Sequence, residues 1–422
     1  MIQPTSSFER IPALDFLRGV AILGILFINA ENFAYPDSFS PWRNGFEEPR
    51  DYTTRFWVYF LTQGKFYNMF ALLFGVGFYI FLDRLEKKQA GLRAMDIYAR
   101  RLLWLFVIGA VHYYFVWDGD ILHHYAICGF LLFPFRAMKG RSLLVVMGLL
   151  MALQLVKAYD LTLRRQGWKV NYERSLSLPE EERTEDDEKR IAFWERLTQQ
   201  KAPDTTQVPP RKETFLRGLQ ETYESAGLHK GEVFHQGLLY PTLLIMLAGM
   251  LLYRSGIFHN YRAWRYYWPV SLTVLGVGLL VNYLRFYHWT YQYFDPVTNI
   301  WKGWLFTFPK ELLGLGYILF FNGVYQKLLK TARFKIISNV GKTALSNYIL
   351  QNILLGLVFY GYGLGQFNHW SRFEVLGIVA LIWVIQLALS ALWLRKYPQG
   401  PLERLWRRLT YRSFEEPKAV TK

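Results

Sequence analysis

Apolar blocks of about 16 to 22 residues, separated by short runs rich in lysine and arginine, recur along nearly the whole chain, and that length suits a helix crossing a bilayer's hydrocarbon core. Ten such blocks stand out, at 12–33, 66–82, 101–117, 121–136, 142–159, 236–253, 267–284, 305–326, 343–362 and 373–394. A chain of 422 residues has room for two or three soluble domains, but 52% apolar and 18% aromatic residues in this arrangement point elsewhere. The expected fold class is all-α: a polytopic transmembrane helical bundle of about ten spans with a polar extracytoplasmic insertion. No cleavable signal peptide is expected, because the first block carries Asp15 and Arg18 and runs on without a small-residue cleavage site. The single cysteine, Cys128, lies inside an apolar block and excludes both an intramolecular disulfide and a cysteine metal cluster.

The formal charge of +16 is distributed between the blocks and forms no single stripe, so it reads as a topology signal and excludes a nucleic-acid role. Alternate loops are basic: Arg84 to Arg101, then Arg136, Lys139 and Arg141, then Arg254, Arg262 and Arg265, then Lys327 to Lys342 with Lys330 among them, and last the tail from Arg395. The intervening loops are poor in positive charge; 34–54 sets Arg43 and Arg50 against Asp37, Glu47, Glu48 and Asp51. The positive-inside rule then places both termini in the cytosol and requires every block to cross. Residues 160–233 are too polar to span and are expected outside, with surface helices near Trp194 and Leu216 on either side of a Pro209-Pro210 break, as a cap or a solvated insertion. The organisation follows: an N-terminal membrane bundle at 1–159, the insertion at 160–233, a C-terminal bundle at 234–394, and a basic tail at 395–422. The aromatic stretch 52–62 reads as an interfacial helix. The glycines from Gly75 to Gly365 that fall in or at the ends of spans read as helix-packing positions.

The stretch from Arg100 to Pro134 is the candidate for chemistry. It reads as two short apolar helices joined by Asp118-Gly119-Asp120, a membrane hairpin. Ionisable groups at membrane depth are costly and usually face a bundle interior or a wet cavity. His112 lies eleven residues from Arg101, roughly 16 Å up its helix at 1.5 Å per residue. It suits a general base or a transient acyl acceptor, with Asp118 or Asp120 as its orienting acid. The bland alternatives are a helix-to-helix hydrogen bond for His112 and an N-terminal cap for Asp120. His123 and His124 are adjacent and point to different sides, so at most one shares a cavity with His112.

Around this hairpin, Asp15 and Arg18 share a helix face and Asn29 returns to nearly the same azimuth. They form either an ion pair near the interface or a stripe that meets a phosphate-bearing donor. Lys65, and Lys310 with Glu311, begin spans on the hairpin-turn side and are pocket-rim groups or snorkelling anchors. Ser346, Asn347 and Gln351 form a polar group that is interhelical glue by default. No HExxH or Cys/His spacing is present, and no metal is expected.

ALDFLRGVAILGILFIN in the first block, GKFYNMFALLFGVG in the second, the RRL, GAVH and DGDILHHYAICG segments of the hairpin, VGKTALSNYILQN in the ninth block and GPLERLWRRLTY after the tenth carry a resemblance over nearly the whole length. Together they make the chain resemble the YeiB family of bacterial membrane proteins, a domain of unknown function (418), and through it the wider group of transmembrane acyltransferases. That resemblance implies a multi-pass protein of the bacterial plasma (inner) membrane, in contact with membrane lipid and compatible with an oligomer. It implies acyl-CoA as cytosolic donor and a glycan or small molecule as extracytoplasmic acceptor. The residues it points to are Asp15, Arg18, Gly19, Asn29, Gly64-Lys65-Phe66, His112, Asp120, Tyr125, Asn347 and Gly400-Pro401-Leu402-Glu403. Ser346 departs from it, standing where the family often has threonine, as does the second tail arginine.

The expected function is an integral membrane acyltransferase, O- or N-directed, in which His112 accepts the acyl group or activates the acceptor. The alternative is a transporter or channel for a small solute or lipid, or a non-catalytic membrane partner. Paired intramembrane charges also line permeation paths, but no inverted repeat and no run of gating charges is present.

Overall fold

A computed structural model describes residues 11–36, 48–87, 92–198, 212–225, 228–291, 300–328 and 333–411. The Pro209-Pro210 break, the loop residues Asp37, Arg43 and Glu47, Lys330 and the tail beyond Tyr411 lie outside these residues. No strand occurs among the described residues. The helices are α1 (Pro12–Ala34), α2 (Pro49–Thr62), α3 (Lys65–Lys87), α4 (Leu92–Phe115), α5 (Leu122–Leu132), α6 (Gly140–Ser177), α7 (Glu185–Thr198) and α8 (Phe215–Ser225). They continue as α9 (Leu228–Arg254), α10 (Tyr267–Tyr291), α11 (Ile300–Leu305), α12 (Pro309–Leu328), α13 (Arg333–Lys342), α14 (Ala344–Phe359), α15 (Arg372–Lys396) and α16 (Pro401–Tyr411).

Each of the ten apolar blocks coincides with one of these helices. Among the described residues, six helical segments are long and apolar enough to cross a membrane: Pro12–Ala34, Pro49–Lys87, Gly140–Ser177, Tyr267–Tyr287, Trp301–Leu328 and Arg372–Lys396. Leu122–Phe135, Leu239–Arg254 and Ala344–Phe359 are shorter apolar helices. The remaining block lies in α4, whose first half carries Arg93, Asp96, Arg100 and Arg101. The chain is a helical membrane protein.

Several helices run past their apolar blocks, α4 from Leu92 and α9 from Leu228 among them, and two differences bear on the organisation. The fifth block ends at residue 159 by hydropathy, yet α6 continues to Ser177 as one helix of 38 residues. Its polar half is held by an Arg164–Asp160 pair four residues apart, and by α7 folding back so that Ser175 Oγ donates to Asp187 Oδ1 at 2.7 Å. Trp194 of α7 stacks on Tyr172 at 5.9 Å. The insertion therefore begins as a stalk whose packing is local, which a window of hydropathy does not register. The basic stretch before the ninth block also holds a helix of its own, α13, which turns into α14 at Thr343.

The first helix is the axis of the bundle. Pro12 at its first turn presets the helical φ, and Asp15 in that turn complements the unpaired amides. Leu17, Ile22 and Leu26 are fully buried. The helix packs against α2, α3, α12, α13, α14 and α15. Its contact with α13 is backbone to backbone: a Cβ at Gly19 would run into the Ile337 carbonyl, and one at Gly341 into the Asp15 carbonyl. Gly341→Val is therefore expected to destabilise the protein by about 1–3 kcal/mol, read as a lower melting temperature in detergent. An unchanged melting temperature would show that the two helices separate freely.

Candidate functional site

The hairpin brings its own ends together. Helix α4 closes when the amides of Val116 and Trp117 both donate to the His112 carbonyl at 2.9 Å. The turn that follows delivers Asp120 to the start of α5, where Oδ2 accepts from the amides of Leu122 (2.8 Å) and His123 (3.1 Å). That is capping chemistry, and the same carboxylate does more. Oδ1 lies 2.8 Å from His112 Nδ1, and Oδ2 lies 2.8 Å from His123 Nδ1. Asp120 is 0% exposed and His112 1%. Burial favours the neutral carboxyl, but the hydrogen bonds from His112 and His123 outweigh it and hold Asp120 below the ordinary carboxylate range.

The other face of His112 meets α14. Asn352 Nδ2 donates to His112 Nε2 at 3.1 Å, and Asn352 Oδ1 accepts from Asn29 Nδ2 of α1, also at 3.1 Å. With Nε2 accepting, the imidazole proton sits on Nδ1 and points at Asp120. The result is a line of bonds from Asn29 through Asn352 and His112 to Asp120 and His123. An ionised acid fixes the tautomer of an imidazole whose outer nitrogen accepts from one amide.

One aromatic ring separates this line from open space. Tyr348 of α14 lies 5.3 Å from the His112 ring, centroid to centroid. Its hydroxyl is 3.4 Å from the Ile121 amide and 3.5 Å from Asp120 Oδ1. On its other side is a chamber of about 380 Å³. Ile121, Leu122, Tyr125 and Tyr348 line the inner end of this chamber, and His112 does not line it. The opposite end carries Asp15, Arg18, Arg84, Arg101, Lys342 and Arg407.

The candidate residues thus fall into three groups. His112, Asp120, His123 and Asn29 are joined by the hydrogen-bonded line. Asp15, Arg18 and Tyr125 line the chamber, with Arg18 Nη1 donating to Asp15 Oδ1 at 3.1 Å and Tyr125 Oη donating to the Tyr67 carbonyl at 2.7 Å. Lys65, Asn347 and Gln351 stand apart. Lys65 Nζ donates to the Tyr59 carbonyl at 2.9 Å and lies over the Phe286 ring. Asn347 Nδ2 bonds Thr343 Oγ1 and Ser390 Oγ at 2.7 and 2.8 Å, and Gln351 Oε1 accepts from Gln386 Nε2 at 3.2 Å, tying α14 to α15. Asp118 is half-buried in the turn, and both ring nitrogens of His112 are engaged by other residues. His124 faces away from Asp120, with Nε2 3.2 Å from Thr242 Oγ1 and 3.6 Å from Cys128 Sγ. No group of His, Cys, Asp and Glu among the described residues is arranged to hold a metal ion.

Asn352 and Tyr348 escaped the sequence reading, although both sit in the VGKTALSNYILQN motif. Their places along α14 were the available signal, since Tyr348 and Asn352 are four apart and share one face.

At its basic end the chamber is lined in part by α16, and Glu403 fixes that helix. Its Oε1 accepts from the Leu345 amide at 2.6 Å and the Ser346 amide at 3.2 Å, and its Oε2 accepts from Ser346 Oγ at 2.5 Å. Burial pushes the Glu403 carboxyl up from its ordinary value, against the pull of these donors. A raised acid binds its proton more tightly when folded, so the buried Glu403 contributes most to stability below pH 4.5, and that contribution is lost as pH rises through the folded value. Glu403→Gln is expected to keep α16 docked and remove that pH dependence. Glu403→Ala leaves the start of α14 uncapped at a cost of about 0.5–2 kcal/mol. Limited proteolysis of the tail across pH 5–8 reads both; equal cleavage of all three proteins would contradict the latch.

A family described as "Protein of unknown function (DUF418)" matches residues 252–413. The chain is 30% identical to the uncharacterized protein YeiB of Escherichia coli (strain K12), covering 96% of this chain and 97% of that protein. It is 29% identical to the uncharacterized protein YxaH of Bacillus subtilis (strain 168), over 100% and 99% of the two. A 39.9 kDa protein encoded in the amylase 3′ region of Bacillus acidopullulyticus, also uncharacterized, is 27% identical over 97% and 96%. No solved structure matches.

Proposed function

The chain belongs to the YeiB-like DUF418 family of helical membrane proteins, and from that premise and the geometry of its hairpin we propose that it is an integral membrane acyltransferase of the bacterial inner membrane. Acyl-CoA enters from the cytosol through the basic end of the chamber, and an extracytoplasmic hydroxyl or amine is the acceptor. The observation that carries this reading is a buried carboxylate–imidazole pair, His112 with Asp120 at 2.8 Å, one aromatic ring away from a chamber with a cationic far end.

The chemistry follows from the protonation pattern. Asp120 holds the proton on Nδ1 and stabilises the imidazolium that forms when Nε2 takes a proton. For that, Asn352 releases Nε2 to the acceptor. The acceptor oxygen, as its proton moves to Nε2, bonds to the thioester carbonyl carbon; the carbon–sulfur bond breaks, and the departing thiolate takes a proton from the imidazolium. Ester and free thiol are the products, and the imidazole is returned. The freed Asn352 amide stands beside the reacting carbonyl as a hydrogen-bond donor for developing negative charge. Tyr348 keeps the pair dry until the donor's acyl end displaces it.

Purified protein in lipid nanodiscs, supplied with short-chain acyl-CoAs and a panel of sugar and amino-alcohol acceptors, tests the proposal through acceptor-dependent thiol release. Release that depends on an acceptor supports it. Absence of release with every donor, in protein whose melting temperature shows it folded, overturns it.

A further inference from the structure

We infer that the basic end of the chamber is a binding site for the phosphate groups of an amphiphile, and that the C-terminal helix α16 completes it. The inference rests on the chamber used above, but not on any reaction there. The cations of that end come from five helices: Arg18 from α1, Arg84 from α3, Arg101 from α4, Lys342 from α13 and Arg407 from α16. The lining's only carboxylates among the described residues are Asp15 and Glu403. Both are committed, Asp15 to Arg18 at 3.1 Å and Glu403 to the start of α14. The cations converge on one opening with an excess of positive charge, which an anion of high charge density neutralises.

The site is built before any ligand arrives. Trp406 Nε1 donates to the Arg101 carbonyl at 2.8 Å, and the Arg101 guanidinium lies 3.8 Å from the centre of the Trp406 ring and 5.1 Å from that of Phe81. Stacked between two rings, that guanidinium keeps its donors in a fixed plane. Behind the cations the wall turns apolar, through Phe74, Phe78, Leu102 and Leu105. Phosphate at the opening and an apolar chain within is the chemistry shared by a coenzyme A thioester and an anionic phospholipid.

The test uses the full chain in phosphatidylcholine nanodiscs, with melting temperature and calorimetric binding as readouts. The probes are coenzyme A, pantetheine, which lacks the phosphates, and nanodiscs containing phosphatidylglycerol. A phosphate-bearing ligand that binds only the folded protein raises the melting temperature, and added salt weakens it. Arg407→Gln and Lys342→Gln, on separate helices, are each expected to weaken that binding about tenfold, the loss of one charge-assisted hydrogen bond. Their melting temperatures without ligand report folding. Stabilisation by coenzyme A and not by pantetheine supports a coenzyme A site. Stabilisation by phosphatidylglycerol alone, lost in the same variants, supports the phosphate site while removing the acyl-CoA reading. No response to either phosphate source, or an undiminished response in both variants, overturns the inference.

Discussion

His112→Ala is expected to lower acceptor-dependent thiol release about 10²- to 10⁴-fold, the range that a positioned proton-transfer group contributes. The substitution also leaves Asp120 Oδ1 and Asn352 Nδ2 without their 2.8 and 3.1 Å partner, so some destabilisation accompanies it. His112→Gln separates the effects. Its side chain offers a donor and an acceptor to the same neighbours but cannot shuttle a proton at neutral pH. Equal loss of turnover in both variants, with the glutamine variant near the parent melting temperature, assigns the loss to chemistry. Turnover at the parent rate in either removes the imidazole from the reaction.

Asp120→Ala is expected to be the most damaging single change to the fold of this region. It removes an acceptor shared by two imidazoles and two backbone amides, all within 3.1 Å, and such losses at buried charged sites cost about 3–5 kcal/mol. Asp120→Asn retains the shape and one acceptor oxygen. It turns an amide N–H toward groups that are themselves donors and favours the wrong imidazole tautomer, so turnover falls with His112→Ala while part of the stability returns. Because the Asp120 carboxyl is held below its ordinary value of 3.8, its contribution is complete above that pH and is lost as pH falls through the folded value. Acid unfolding of parent and Asp120→Asn, followed by tryptophan fluorescence, reads this; identical acid midpoints would contradict it.

The membrane architecture was legible in the sequence because the period that builds a spanning helix is local. Every apolar block from 12–33 to 373–394 became a helix, and the hairpin turn fell at Asp118 to Asp120. Asp120 and His112 are eight residues apart and joined by one turn, so their proximity was also a local matter. Asn352 reaches His112 from 240 positions away, and Glu403 reaches Ser346 from 57. Nothing in the spacing of either residue tells which face of α14 turns toward α4, because that depends on how α1, α13 and α15 pack around it. The same limit hid the buried ion pair between Glu31 on α1 and Arg372 on α15, which joins two helices 341 positions apart in the sequence. Lys65 was legible as important but not in its role: it packs on Phe286 and the Tyr59 carbonyl, away from the hydrogen-bonded line.

Access to the imidazole from the chamber underlies the whole account, and cysteine labelling measures it most directly. With His112→Cys in a Cys128→Ala background, a charged thiol reagent applied to inside-out membrane vesicles should react slowly, because Tyr348 stands between the chamber and this position. Adding Tyr348→Ala should speed labelling at least about tenfold, a barrier change of roughly 1.4 kcal/mol, and excess coenzyme A should slow it again. Labelling that ignores Tyr348, or that proceeds only from the opposite side of the membrane, would show that the chamber does not lead to His112.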